Sequence, residues 1–167
     1  MRTCLRGIRF VVPMVAIAAI VAANNSTSAD EPQTIKYTKP GADGIPDYQP
    51  VAGWPRLPDT LQLGPVSAVA IDSADQVYVL QRANPPVLVF DLDGGFLRSW
   101  GEGTLRNPHG LRTDHDDHLW ITDTGRHVVM KFDAHGKLLM TLGRESQPGD
   151  GPDQFNKPTD AAIAPSG

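Results

Sequence analysis

Val66–Gly101 reads VSAVAIDSADQVYVLQRANPPVLVFDLDGGFLRSWG, and Pro108–Gly143 reads PHGLRTDHDDHLWITDTGRHVVMKFDAHGKLLMTLG. The two stretches overlay without a gap at an offset of 42 residues, position 66 falling on position 108. In that register Asp72 meets Asp114, Phe90 meets Phe132, Asp91 meets Asp133, Gly94 meets Gly136 and Gly101 meets Gly143. A fixed period of about 40 residues, with several short apolar runs in each, predicts the blades of a β-propeller. A blade cannot bury both faces of its sheet alone, so the repeats must pack on one another.

Each repeat offers four strands. In the first they fall at Ser67–Ile71, Gln76–Gln81, Val87–Asp91 and Phe96–Trp100, and in the second at Gly110–Thr113, Leu119–Thr122, Val128–Phe132 and Leu138–Leu142. All are short, rich in Val, Ile, Leu and Phe, and bounded by turn residues. Asp93-Gly94 and His135-Gly136 supply positive-φ positions for tight hairpins. Val66–Ile71 shows little polar alternation, which predicts burial of both faces between neighbouring blades. Pro158–Ala164 (PTDAAIA) aligns with Pro108–Asp114 and predicts the first strand of a third repeat. The fold class is all-β, with about two blades and one strand over 51–167, and the chain reads as an N-terminal fragment of a longer protein. Residues 30–50, rich in Pro, Gly and Asp, read as a linker or N-terminal arm.

Residues 1–29 read as a secretory signal peptide. Arg2, Arg6 and Arg9 form a basic start, Phe10–Ala23 is an apolar run of fourteen residues, and Thr27-Ser28-Ala29 offers small residues for cleavage. Fourteen residues are short for a bilayer span, so no stable membrane span is expected after cleavage. Cys4 lies in this segment, which excludes disulfides and thiol chemistry from the mature chain. The formal net charge of −4 becomes about −7 once the three leader arginines are gone. That acidity argues against nucleic acid as a partner. The predicted location is secreted or periplasmic.

Ile121-Thr122-Asp123-Thr124-Gly125-Arg126-His127, followed by Val-Val-Met-Lys-Phe-Asp, resembles an NHL repeat, which implies a six-bladed propeller. A narrower resemblance is carried by Pro108-His109-Gly110-Leu111, by Trp120-Ile121-Thr122-Asp123, and by Pro148-Gly149 running on to Phe155, Pro158, Thr159 and Asp160. These are similar to the peptidyl-α-hydroxyglycine α-amidating lyases, also called peptidylamidoglycolate lyases. The resemblance implies a zinc- and calcium-dependent enzyme that cleaves a peptidyl-α-hydroxyglycine to a peptide amide and glyoxylate. It implies that His109 is one of three axial zinc ligands, that Val69 and Leu111 offer backbone carbonyls to calcium, and that Arg82 faces the peptide substrate. One departure is local: Arg82 stands in Leu80-Gln81-Arg82-Ala83-Asn84-Pro85, where family members often carry His-Arg-Gly. A copper monooxygenase partner is left open.

The residues support part of this independently. His109 replaces Ser67 of the first repeat at the mouth of a first strand, where a neutral imidazole can ligate zinc. A guanidinium at Arg82 can clamp a carboxylate bidentately. Oxygen ligands suit calcium, so only the backbone of Val69 and Leu111 qualifies. His115 and His118 have metal-like spacing but fall in a hairpin turn, and His127 reads as structural. The rival reading is a noncatalytic NHL propeller that binds a protein or small ligand. A lactonase-type enzyme is a third reading, disfavoured because its carboxylate-rich metal set is not visible. Sequencing the N-terminus of exported protein should give a start near Asp30, and membrane-retained protein still carrying Met1–Ala23 would refute the leader assignment.

Overall fold

The computed structural model describes residues 50–164. The expected signal peptide (1–29) and residues 30–49 of the expected linker or arm lie outside them. Eight strands form in chain order: β1 (Val66–Ile71), β2 (Val77–Gln81), β3 (Val87–Phe90), β4 (Phe96–Trp100), β5 (Pro108–Thr113), β6 (Leu119–Asp123), β7 (Val128–Phe132) and β8 (Leu138–Leu142). They make two four-stranded antiparallel meanders, β1-β2-β3-β4 and β5-β6-β7-β8. These are the two propeller blades that the repeat predicts, and no helix occurs among the described residues.

The turns repeat as closely as the strands. Asp72 closes the β1–β2 hairpin by accepting the backbone N–H of Ala74 and Gln76 at Oδ1, 3.0 and 2.8 Å. Asp114 does the same for Asp116 and His118, at 3.0 and 2.9 Å. The left-handed position in each is an aspartate, Asp75 (φ 59°) and Asp117 (φ 60°), one of the few side chains that tolerates it. In the β3–β4 and β7–β8 hairpins Gly94 (φ 83°) and Gly136 (φ 89°) take that position. Of the expected pairs Asp93-Gly94 and His135-Gly136, only the glycines take positive φ, and each hairpin is a three-residue loop with a register shift in the ladder behind it.

The sheets meet through their apolar faces. Tyr78, Leu80, Val87 and Val89 of the first sheet pack with Leu111, Leu119, Ile121, Val128, Met130 and Phe132 of the second. Period-two alternation sends the other set, Val77, Val79, Leu88 and Phe90, to the opposite face of the first sheet. That face is covered by Trp54, Leu57, Leu61 and Phe96. The cover copies the blade–blade contact. Trp100 stacks near Phe132 (centroids 5.2 Å apart) and over Gly136, where a Cβ would meet its ring at 2.5 Å. Trp54 lies 5.7 Å from Phe90 and over Gly94, where a Cβ would also meet it at 2.5 Å.

Two expectations are corrected. Val66, Val69 and Ile71 are about half exposed rather than buried on both faces. The cover reaches β2 and β3 but leaves the outward face of β1 open among the described residues. Pro158–Ala164 forms no strand; it runs beside Trp120, Val129, Leu142 and Phe155, with no strand alongside to complete a ladder. Replacing Trp100 by Ala should lower unfolding free energy by about 3 kcal/mol, the low end for a large aromatic because Trp100 is only partly buried. Denaturant titration checks this.

Candidate functional site

The connections entering each sheet are tied to one buried residue at the end of its second strand. In the second sheet this is Asp123, whose carboxylate accepts backbone N–H groups from Arg106 (2.7 Å), Asn107 (3.0 Å), Gly125 (2.9 Å) and Arg126 (3.0 Å). The repeat equivalent is Gln81, which accepts Gly64 N–H at 2.7 Å and donates to Pro85 O at 2.8 Å. A carboxylate surrounded by four N–H donors tolerates burial because the hydrogen bonds replace water. The next residue also repeats its contact: Arg82 N–H donates to Pro65 O at 3.0 Å and Thr124 N–H to Asn107 O at 3.1 Å. Arg82, Arg106 and Pro108 are therefore brought together by backbone anchors.

They line a cleft of about 310 Å³ with Gln81, Asn84 and Leu105. Arg82 is exposed, and its Nε lies 3.5 Å from Pro108 O. Pro108 leads directly into His109, at the start of β5. The His109 ring approaches Thr159 O through Nδ1 at 3.0 Å. A carbonyl only accepts, so Nδ1 carries a proton, and in the neutral tautomer this selects, Nε2 is the atom with the lone pair. A ring N–H held by a backbone carbonyl is the usual support of a metal-ligating histidine. Val69 on β1 and Leu111 on β5 hold equivalent ladder positions, opposite Val79 and Ile121. Leu111 is fully buried while Val69 is 51% exposed. The two strands adjoin, and Thr113 Oγ1 donates to Ile71 O at 2.9 Å.

The other histidines sit elsewhere. His115 and His135 are exposed turn residues. His127, at φ 62°, accepts Lys157 N–H on Nδ1 at 3.1 Å, a structural role. Asp114, Asp116 and His118 bring ligand atoms within 4.8 Å of one another and could hold a metal ion. Asp114 is already committed: Oδ2 accepts Trp120 Nε1 and lies 2.9 Å from Lys131 Nζ. Burial works against its charge, but the hydrogen bonds from Trp120, Lys131, His118 and Asp116 outweigh it and hold the carboxyl well below the usual carboxylate range. In the first sheet Asp72 accepts Tyr78 OH at 2.9 Å. Burial, then that bond to Asp72, pushes the phenol up to about 12.

Residues 105–132 match the NHL repeat family. The chain carries an NHL repeat. It is 36% identical to human NHL repeat-containing protein 3 over 132 residues, covering 72% of this chain and 38% of that protein. It is 30% identical to peptidyl-alpha-hydroxyglycine alpha-amidating lyase 1 of Drosophila melanogaster over 179 residues, 87% of this chain and 32% of the lyase. It is 33% identical to rat peptidylglycine alpha-amidating monooxygenase over 140 residues, 68% of this chain and 14% of that protein. The chain thus spans well under half the length of these relatives. Among the described residues no helix is long and apolar enough to cross a membrane.

The anchor carboxylate Asp123 and the left-handed His127 both lie inside the stretch that matches the NHL repeat. The sequence reading passed over Arg106 and Trp54. Extending the 42-residue register backwards places Gly64-Pro65 on Arg106-Asn107 and exposes the repeated connection. Because the Asp114 pKa is lowered on folding, its contribution is full above about pH 4 and is lost as pH falls towards the lowered value. Asp114→Asn should lower stability at pH 7 and flatten the acid limb of a Tm-against-pH profile.

Proposed function

We propose that the chain belongs to an exported NHL propeller acting as a metal-dependent lyase, which cleaves peptidyl-α-hydroxyglycine to a peptide amide and glyoxylate. The observation that carries this reading is the His109 ring. Thr159 O holds its Nδ1 proton, which leaves Nε2 as the ligating atom of the neutral tautomer, and His109 directly follows Pro108, whose carbonyl lies 3.5 Å from Arg82 Nε. Its chemistry fits zinc, although His109 supplies only one ligand of the tetrahedral set. Zinc bound there supplies Lewis-acid polarisation of the substrate hydroxyl. Backbone oxygens of Val69 and Leu111 are the proposed calcium ligands, consistent with that ion's preference for oxygen.

This chain's residues then have distinct tasks. Arg82, exposed at the cleft, pairs with the α-carboxylate of the hydroxyglycine and orients it. Thr159 O keeps the His109 ring in one tautomer. In the reaction the hydroxyl loses its proton, the C–N bond breaks and the departing amide nitrogen gains a proton. The carbinol carbon leaves as the aldehyde of glyoxylate. The lyase and monooxygenase relatives support this substrate class.

A noncatalytic binding propeller is the second reading. The similarity to human NHL repeat-containing protein 3 supports an NHL propeller without specifying a reaction. His109→Ala in protein carrying the complete ring separates the two. The lyase reading expects zinc content to fall and glyoxylate release to drop by at least about 100-fold, the upper range for loss of an outer partner alone. Unchanged zinc and unchanged release would leave the binding module.

A further inference from the structure

The cleft between the two sheets contains a second arginine that the lyase reading does not use. Arg106 reaches it from the connection before β5, whereas Arg82 reaches it from the end of β2. Arg106 is held in place. Its backbone N–H donates to Asp123 at 2.7 Å and its Nη1 to Gly125 O at 3.3 Å. Its stem lies over Gly125, where a Cβ would come within 2.9 Å of Cγ. Among the described residues Nε and Nη2 have no hydrogen-bond partner and are available to a ligand. Neither Arg82 nor Arg106 forms an ion pair with a carboxylate among the described residues, although Arg112, Arg126 and Arg144 each do. The cleft lining adds Gln81, Asn84, Leu105 and Pro108 and contains no acid. Two unneutralised guanidiniums in one acid-free cleft of an acidic protein are suited to anions.

We infer that Arg106 is a specificity-determining residue that binds a second carboxylate, so that the cleft selects acidic peptide ends with Asp or Glu just before the terminal glycine. The inference rests on the proposed function in one respect, that Arg82 takes the terminal carboxylate. A single carboxylate then leaves one positive charge over, and an acidic side chain one residue away neutralises it. A cleft of about 310 Å³ accommodates the two terminal residues of a peptide rather than a folded partner.

Isothermal titration at low ionic strength tests this with three probes: acetyl-Glu-Gly acid, acetyl-Gln-Gly acid and acetyl-Glu-Gly amide. The Glu acid should bind at least about tenfold tighter than the Gln acid, the low end for one charge-assisted hydrogen bond. Added salt should shrink the difference. Arg106→Gln should abolish the preference while leaving the Gln acid unchanged, and Arg82→Gln should weaken both acids. Gly125→Ala, which displaces the Arg106 stem without removing its charge, should reduce the preference and serves as the second variant. Equal binding of the Glu and Gln acids, or a preference that survives Arg106→Gln, would overturn the inference. These readouts need neither zinc nor turnover, so failure of the lyase reading shows separately, in the His109→Ala assay.

Discussion

The structure depends on covering both apolar faces of the central strands of the first sheet and the facing side of the second. Val77, Val79, Leu88 and Phe90 point one way from the first sheet, and Tyr78, Leu80, Val87 and Val89 the other. A sheet with one such face open would expose several large side chains, each worth about 1.5–3 kcal/mol when buried. The second sheet covers one face, and Trp54, Leu57 and Leu61 cover the outer part of the other. Polar groups reinforce the contact: Ser73 donates through N–H and Oγ to Asp117 across the two turns, and Arg98 donates to Ala134 O. Ser73 is also the main reason the Asp117 carboxyl sits below its ordinary range.

Packing in this way brings the first strands of the two sheets together and draws the connections into the gap between them. The cleft with Arg82 and Arg106, and the His109 ring just beyond Pro108, are products of that convergence. None of these side chains is part of the core. Their positions are set through backbone anchors on Asp123 and Gln81, both fully buried. The fold can therefore hold its anchors and vary the residues that face the cleft, in keeping with the unequal names of its relatives.

The blades were legible because a repeat counts its own strands: strand ends shift by one or two residues at most between the pattern and the coordinates, as for Pro108–Thr113 against Gly110–Thr113. The face of β1 was misread because a run such as Val66–Ile71 looks the same whether or not a neighbour covers it. Pro158–Ala164 was misread as a strand because pairing needs a partner strand that local sequence does not contain. Of the site, His109 and Arg82 stood out as breaks in the repeat. The hydrogen bond from His109 to Thr159 joins positions 50 residues apart and left no local signal. Arg106 stayed hidden because an arginine in a connecting loop is ordinary until both its lack of a carboxylate partner among the described residues and its seat on Gly125 are seen.

If each sheet is stable only because the other covers it, the two must open together. Native-state hydrogen exchange measures this directly through the amides of β2 and β6, the second strands of the two sheets. The account predicts the same opening free energy in both strands, within about 0.5 kcal/mol, and equal loss of protection in both when Trp100 is replaced by Ala. Protection that persists in β6 while β2 exchanges freely would show that the sheets fold separately and would contradict the mutual-cover account.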